Sequence, residues 1–125
     1  MSVKLGNVQL KIMRVLWKHG ETTARVVTDE LSKTSPIAHS TVQTLLRKLV
    51  AKKAVDHVER DRTFYFRPLL SESELSQSAA QDFVERVFRG SISGLVANLL
   101  EAEQVTDQEL ARLRELVNEN AKESK

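Results

Sequence analysis

Six polar side chains stand close together between Ser40 and Lys48: Ser40, Thr41, Gln43, Thr44, Arg47 and Lys48, with Val42, Leu45 and Leu46 between them. Hydroxyl and amide groups are short or planar donors and acceptors that can reach base edges in a duplex groove. Guanidinium and ammonium groups pair with guanine or neutralise phosphate. A second basic cluster follows at Arg60-Asp61-Arg62.

These side chains can act together only on a helix. At about 100° per residue, Val42, Leu45, Leu46, Leu49 and Val50 fall on one side. Ser40, Thr44, Arg47 and Ala51 lie opposite, flanked by Thr41, Gln43 and Lys48. The pattern predicts a helix from about Ala38 to Lys53, opened by a capping box between Ser40 and Gln43. Two strands follow, Ala54 to Glu59 and Thr63 to Pro68. In them Val55, His57 and Glu59 alternate with Asp56 and Val58, and Phe64 and Phe66 with Tyr65 and Arg67. Arg60 and Arg62 then sit at the tip of a hairpin, placed to meet a flanking backbone or minor groove. Taken alone, the polar stripe could be the solvated face of any surface helix, and the tip a solvated loop. A helix leading directly into a basic hairpin favours a winged helix-turn-helix in which the helix enters the major groove of double-stranded DNA.

The preceding elements support that arrangement. Gly6 to His19 reads as a helix with Leu10, Ile12, Met13, Leu16 and Trp17 on its apolar side, ended by Gly20. Trp17 reads as a core residue rather than a stacking platform. Glu21 to Thr23 is a connector or one short strand. Thr22 or Thr23 caps a second helix, Ala24 to Lys33, which buries Val26, Val27 and Leu31 and is stopped by Thr34, Ser35 and Pro36.

Leu69 to Ser73 reads as a boundary, giving domains at residues 1–70 and 71–125. Ser71 with Glu74 forms a capping box, and Leu70 with Leu75 is spaced as a hydrophobic staple. A fourth helix carries Ala80, Phe83, Val84, Val87 and Phe88 to about Arg89, where Gly90 breaks it. Ser91 opens a fifth helix with Ile92, Leu95, Val96, Leu99 and Leu100. The staple and box recur at Val105-Thr106 and Glu109-Leu110 for a sixth, which shows Leu110, Leu113, Leu116 and Val117 and frays after Asn118. The fold class expected is mainly α with a small β wing, followed by a three-helix domain.

With 125 residues, 41% hydrophobic and 29% charged, the chain suits one domain or two small ones. There is no apolar run long enough to span a membrane and no signal-peptide pattern. There is no cysteine for a disulfide or thiolate site. A cytoplasmic location without membrane insertion is expected. Charge is uneven: residues 1–70 hold thirteen Lys and Arg against six Asp and Glu, and residues 71–125 hold six against eleven. A basic half attracts polyanions and releases counterions on binding, whereas an acidic helical half suits a protein partner. Three short helices make a poor core of their own. Pairing with a second copy resolves this, giving a symmetric homodimer with an interface drawn from Phe83, Val87, Phe88, Ile92, Leu95, Val96, Leu99, Leu113 and Leu116. Packing back on the chain's own basic half is the alternative.

Enzymatic chemistry finds little support. His19, His39 and His57 lie far apart in sequence, metal-ligand spacing is absent, the four glycines form no phosphate loop, and no serine has a nucleophile-elbow context. No cofactor and no metal are expected, and His39 reads as a phosphate contact or a solvated loop residue.

Four segments carry a family resemblance: IMRVLW at 12–17, STVQTLLRKLVAKKAV at 40–55, TFYFRPLL at 63–70 and FRGSISGLVANLL at 88–100. Together they resemble the penicillinase repressor (BlaI/MecI) family of winged-helix transcriptional repressors. The resemblance implies an N-terminal DNA-binding domain, a C-terminal dimerisation domain, and repression by occupation of an inverted-repeat operator. It places Thr41, Gln43, Thr44 and Arg47 in the major groove. In antibiotic-responsive members a membrane-bound sensor protease leads to cleavage within the dimerisation region. The matching segment is Leu95-Val96-Ala97-Asn98-Leu99, so the candidate bond is Asn98–Leu99; Leu99 departs from the Phe that follows Asn in the family's site. Asn98 could equally decorate an interface helix. The cysteine cluster of copper-responsive relatives has no counterpart. Two other functions remain open at this level: a winged-helix protein-interaction module, which Thr44, Arg47 and Lys48 oppose, and a regulator released by a small effector.

Overall fold

A computed structural model describes residues 4–123. Its elements are α1 (Asn7–His19), β1 (Thr22–Thr23), α2 (Ala24–Ser32), α3 (His39–Ala51), β2 (Val55–Arg60), β3 (Thr63–Pro68), α4 (Glu72–Phe88), α5 (Ile92–Glu101) and α6 (Asp107–Glu123). The chain divides into two compact units, one ending at Asp82 and the other starting at Phe83. The division falls inside α4, whereas the sequence reading placed it between residues 70 and 71.

The first unit is built on apolar stripes that meet. Ile12, Met13 and Leu16 from α1, Val27 from α2, Val42, Leu46 and Leu49 from α3 and Val55 from β2 are fully buried together, and Phe66 of β3 closes the cluster. Trp17 packs against this core, and its indole Nε1–H donates to the Leu70 carbonyl at 2.8 Å, which ties the chain leaving β3 to α1. The sheet is antiparallel with strand order β1-β3-β2. The short strand considered for Glu21–Thr23 exists as two residues, Thr22 opposite Phe66 and Thr23 opposite Tyr65.

Several local details differ from the sequence reading. Gln9 is buried although polar, and Leu10, expected on the apolar side, is half-buried. The Gln9 side-chain oxygen accepts from the Gly6 N–H at 3.0 Å and from Lys52 Nζ at 3.3 Å, and Lys52 also donates to the Lys4 carbonyl at 2.7 Å. A buried amide needs such partners, and these join the entry of α1 to the end of α3. The Ser40–Gln43 capping box does not form. Helix α3 starts two residues earlier than that box requires, its N-cap is Ala38 with no side-chain cap, and Ser40 already lies in the first turn. Thr23 does cap α2, its hydroxyl accepting from the Val26 N–H at 3.3 Å.

In the hairpin, Arg60 pairs with Thr63 as the last rung of the ladder, so the tip is the two-residue turn Asp61-Arg62. Both have positive φ, 52° and 66°, the backbone of the hairpin turn whose twist matches the strands. At the hairpin base Arg67 donates to Asp56 at 3.0 Å. That guanidinium, with the His57 N–H, holds the Asp56 carboxyl below its ordinary range. The pair's contribution is therefore present above the ordinary carboxylate value and fades as the pH falls through the depressed one.

The helices after the hairpin follow their capping signals. The Ser71 hydroxyl accepts from the Glu74 N–H at 3.0 Å, and the Glu74 carboxylate from the Ser71 N–H at 3.2 Å, so the box at the head of α4 is complete. Ser91 caps α5 by accepting from the Gly94 N–H at 2.9 Å, and Thr106 caps α6 by accepting from the Glu109 N–H at 3.1 Å. Contrary to expectation α6 does not fray after Asn118. It continues to Glu123, with Arg112 paired to Glu115 at 3.1 Å and the Asn120 side-chain amide donating to the Leu116 carbonyl at 2.8 Å.

Gly20 ends α1 with φ +76° and ψ −118°, its N–H donating to the Leu16 carbonyl at 2.7 Å. An added Cβ would meet open space there, so any cost of a side chain comes from the backbone alone. Gly20→Ala is expected to lower unfolding free energy by about 1–3 kcal/mol, read from the urea midpoint; an unchanged midpoint would show that this turn can relax.

Candidate nucleic-acid interface

Burial of Val42, Leu46 and Leu49, with Leu45 and Val50 half-buried, sets the rotation of α3. Every residue expected to contact DNA from this helix, Ser40, Thr41, Gln43, Thr44, Arg47 and Lys48, is consequently exposed. No acidic residue occurs between Glu30 and Asp56. Among the described residues the guanidinium of Arg47 makes one long contact, Nε to the Gln43 carbonyl at 3.4 Å. Among the described residues, the Lys and Arg ion pairs engage Lys33, Arg60, Arg67 and Arg112. Arg25, Arg47, Lys48 and Arg62 belong to none of them.

A partly buried hydrogen-bond chain positions the start of α3. The Thr28 hydroxyl lies 2.8 Å from the Ala24 carbonyl and 2.8 Å from His39 Nδ1. The carbonyl can only accept, so it takes the single hydroxyl proton. Nδ1 must then carry a hydrogen and donate to Thr28, which assigns the tautomer and leaves Nε2 for another partner. His39 is half-buried and bonded to α2 rather than a solvated loop residue.

The two wing arginines are placed differently. Arg62 is exposed in the turn. Arg60 forms an ion pair with Glu21 and stands 5.3 Å from the centroid of the Tyr65 ring. Exposed contacts of these kinds contribute about 0.2–1 kcal/mol each. They suffice to bias one long side chain, so Arg60 steadies the wing against the segment before α2.

Between α3 and the hairpin lies a groove of about 640 Å³. Gln43, Arg47 and Arg62 line it, as do Arg25 of α2 and His57 and Phe64 of the hairpin. Sequence reasoning named the first three and missed the others. Strand alternation carried a signal for two: the register sets His57 opposite Phe66 and Glu59 opposite Phe64 on one face. Arg25 had none, because only the crossing of α2 and α3 brings it to the groove that Arg47 also lines. His39 joins the same lining, so histidines remote in sequence share one surface; no cluster of potential metal ligands occurs among the described residues.

In the second unit, the residues expected at a dimer interface are poorly covered. Phe83, Val87, Ile92, Val96, Leu99 and Leu116 are exposed, Ile92 by 70%, and Phe88, Leu95 and Leu113 are half-buried. Asn98 and Leu99 are exposed within α5, where the Asn98 carbonyl still accepts from the Ala102 N–H at 3.1 Å.

The sequence profile of the penicillinase repressor family matches residues 5–119. The penicillinase repressor of Bacillus licheniformis is 31% identical over 122 residues, covering 98% of this chain and 95% of that one. The methicillin resistance regulatory protein MecI of Staphylococcus aureus (strain N315) is 23% identical over 115 residues, covering 92% and 94%. Among solved structures, that of Bacillus licheniformis BlaI in monomeric form in complex with the blaP half-operator aligns with a TM-score of 0.51 at 35% identity, over 59% of this chain and 90% of that one. The DNA binding domain of the repressor BlaI aligns at 0.52 and 36%, over 59% and 93%. With its apolar stripes, capped helices and basic hairpin, the chain belongs to the penicillinase repressor family of winged-helix DNA-binding repressors.

Proposed function

We propose that the protein represses transcription by occupying an inverted-repeat operator in double-stranded DNA as a homodimer. The observation that carries this reading is the outward face of α3, six polar or basic side chains in a stretch without acidic residues, beside a hairpin with Arg62 at its tip. Thr41, Gln43 and Thr44 would meet base edges, Arg47 a guanine or phosphate, and Ser40 and Lys48 the backbone. Arg62 reaches the flanking backbone or minor groove, and Arg60 helps hold the wing in place. The complex of Bacillus licheniformis BlaI with a half-operator supports this use of the matching domain.

Dimerisation through the second unit is supported by its exposed apolar side chains. Fully burying one large aliphatic or aromatic residue gains about 1.5–3 kcal/mol, while association costs on the order of 4–15 kcal/mol. Isolated exposed residues could not meet that cost, but the nine interface positions buried together could. Relief by a membrane sensor protease at Asn98–Leu99 fits the exposure of that bond. A protease needs extended backbone, and α5 has only ten residues, a length at which a helix opens readily. No described helix is long and apolar enough to cross a membrane, and the cytoplasm is the compartment this reading implies.

Four outcomes follow from this reading. With a duplex selected from the source genome, Arg47→Ala is expected to weaken binding by about 1–3 kcal/mol, and log affinity should fall steeply with log salt. Unchanged affinity in a gel-shift titration, or a flat salt plot, would remove α3 from the interface. Arg62→Gly should separate stability from binding. Glycine suits a positive-φ turn position, so the thermal midpoint should rise while DNA affinity drops; affinity equal to wild type would free the wing tip of any contact role. Ile92→Asp places a charge where the dimer would bury apolar surface, and sedimentation should report a monomer; an intact dimer would reject the assigned face.

A further inference from the structure

We propose that the groove between α3 and the hairpin binds a small aromatic carboxylate, and that the bound molecule excludes DNA; the second part rests on the DNA-binding reading above. At about 640 Å³ the groove falls within the usual size of small-molecule sites, about 300–1,000 Å³. Its chemistry is divided. Aromatic rings form one wall. His57 stacks on Phe66 with ring centroids 6.0 Å apart and 25° between planes, and meets Phe64 at 5.3 Å and 58°. Phe66 is buried, but Phe64, on the same face of the hairpin, remains 48% exposed. An aromatic ring left half open beside two others offers a slot for another planar ring.

The rim is cationic and unmatched. Arg25, Arg47 and Arg62 line the groove, and among the described residues no carboxylate does. Glu59, the ladder partner of Phe64, is not part of the lining. Elsewhere in the same unit Arg60 has Glu21 and Arg67 has Asp56. Guanidinium groups bind carboxylates through paired hydrogen bonds, so a ring with a carboxylate at its edge satisfies wall and rim at once. A phosphodiester alone would meet the rim and leave Phe64 uncovered, and an uncharged ring would do the reverse. Exclusion follows from shared residues, because Gln43, Arg47 and Arg62 face both this groove and the proposed duplex.

The test titrates 2-naphthoate into the full chain by calorimetry, with 2-naphthalenemethanol as the uncharged control. Saturable binding is expected, at least about tenfold tighter than the control and weakened at least about tenfold by Phe64→Ala and by Arg25→Ala. Both side chains are exposed, and circular dichroism checks that the variants fold. On the unaltered chain, amide shifts on adding 2-naphthoate should centre on Arg25, Arg47 and Phe64. Absence of saturation, equal binding of the uncharged control, or shifts centred elsewhere would overturn the site. In a second arm 2-naphthoate should release a labelled genomic duplex as the groove fills; a duplex that stays bound at saturation would overturn the exclusion. A chain that binds no duplex even without 2-naphthoate would instead overturn the repressor reading, while the first arm still decides the site.

Discussion

Burial of Val42, Leu46 and Leu49 against Ile12, Met13 and Leu16 is the constraint on which the rest depends. A helix has one free rotation about its axis, and one residue of slippage turns it by about 100°. Three fully buried side chains on one stripe remove that freedom. Each would lose about 1.5–3 kcal/mol if swung into water. The polar stripe is therefore held outward by what lies behind it, and Thr41, Gln43, Thr44 and Arg47 need no contacts of their own to be presented.

The remaining parts of the first unit tune that presentation. Thr28 and His39 lock the head of α3 to α2, and Lys52 with Gln9 locks its tail to the start of α1. The Glu21–Arg60 pair and the two-residue β1 strand hold the hairpin beside it. Each link is modest, but together they leave a helix and a wing with a defined gap. That gap is the groove whose aromatic wall and unmatched arginines are the most unusual chemistry in the unit.

The second unit works by the opposite logic. Its helices α5 and α6 are capped as firmly as those of the first, by Ser91 and Thr106. Their apolar side chains nevertheless stay largely exposed in a single chain, and among the described residues from Phe83 onward Val84 is the only large one buried. Local signals are enough to form a helix; they do not supply a surface for it to cover. That imbalance is the physical basis for reading the unit as one that joins to a second copy.

Period and punctuation determined what was legible in the sequence. The 3.6-residue stripes marked all six helices, the alternation marked both long strands, and the Ser71–Glu74 box and Gly20 and Gly90 marked ends, because each of these is a local interaction between near neighbours. Five features were decided by tertiary structure. Gln9 became buried, and Ser40 lost its capping role to an earlier helix start. His39 found Thr28, and Arg60 left the hairpin tip for Glu21. The groove also belongs here, since Arg25, Arg47, Arg62 and Phe64 come from three separate elements. Contacts between residues distant in the chain depend on how elements cross, and no periodicity within one element records that crossing.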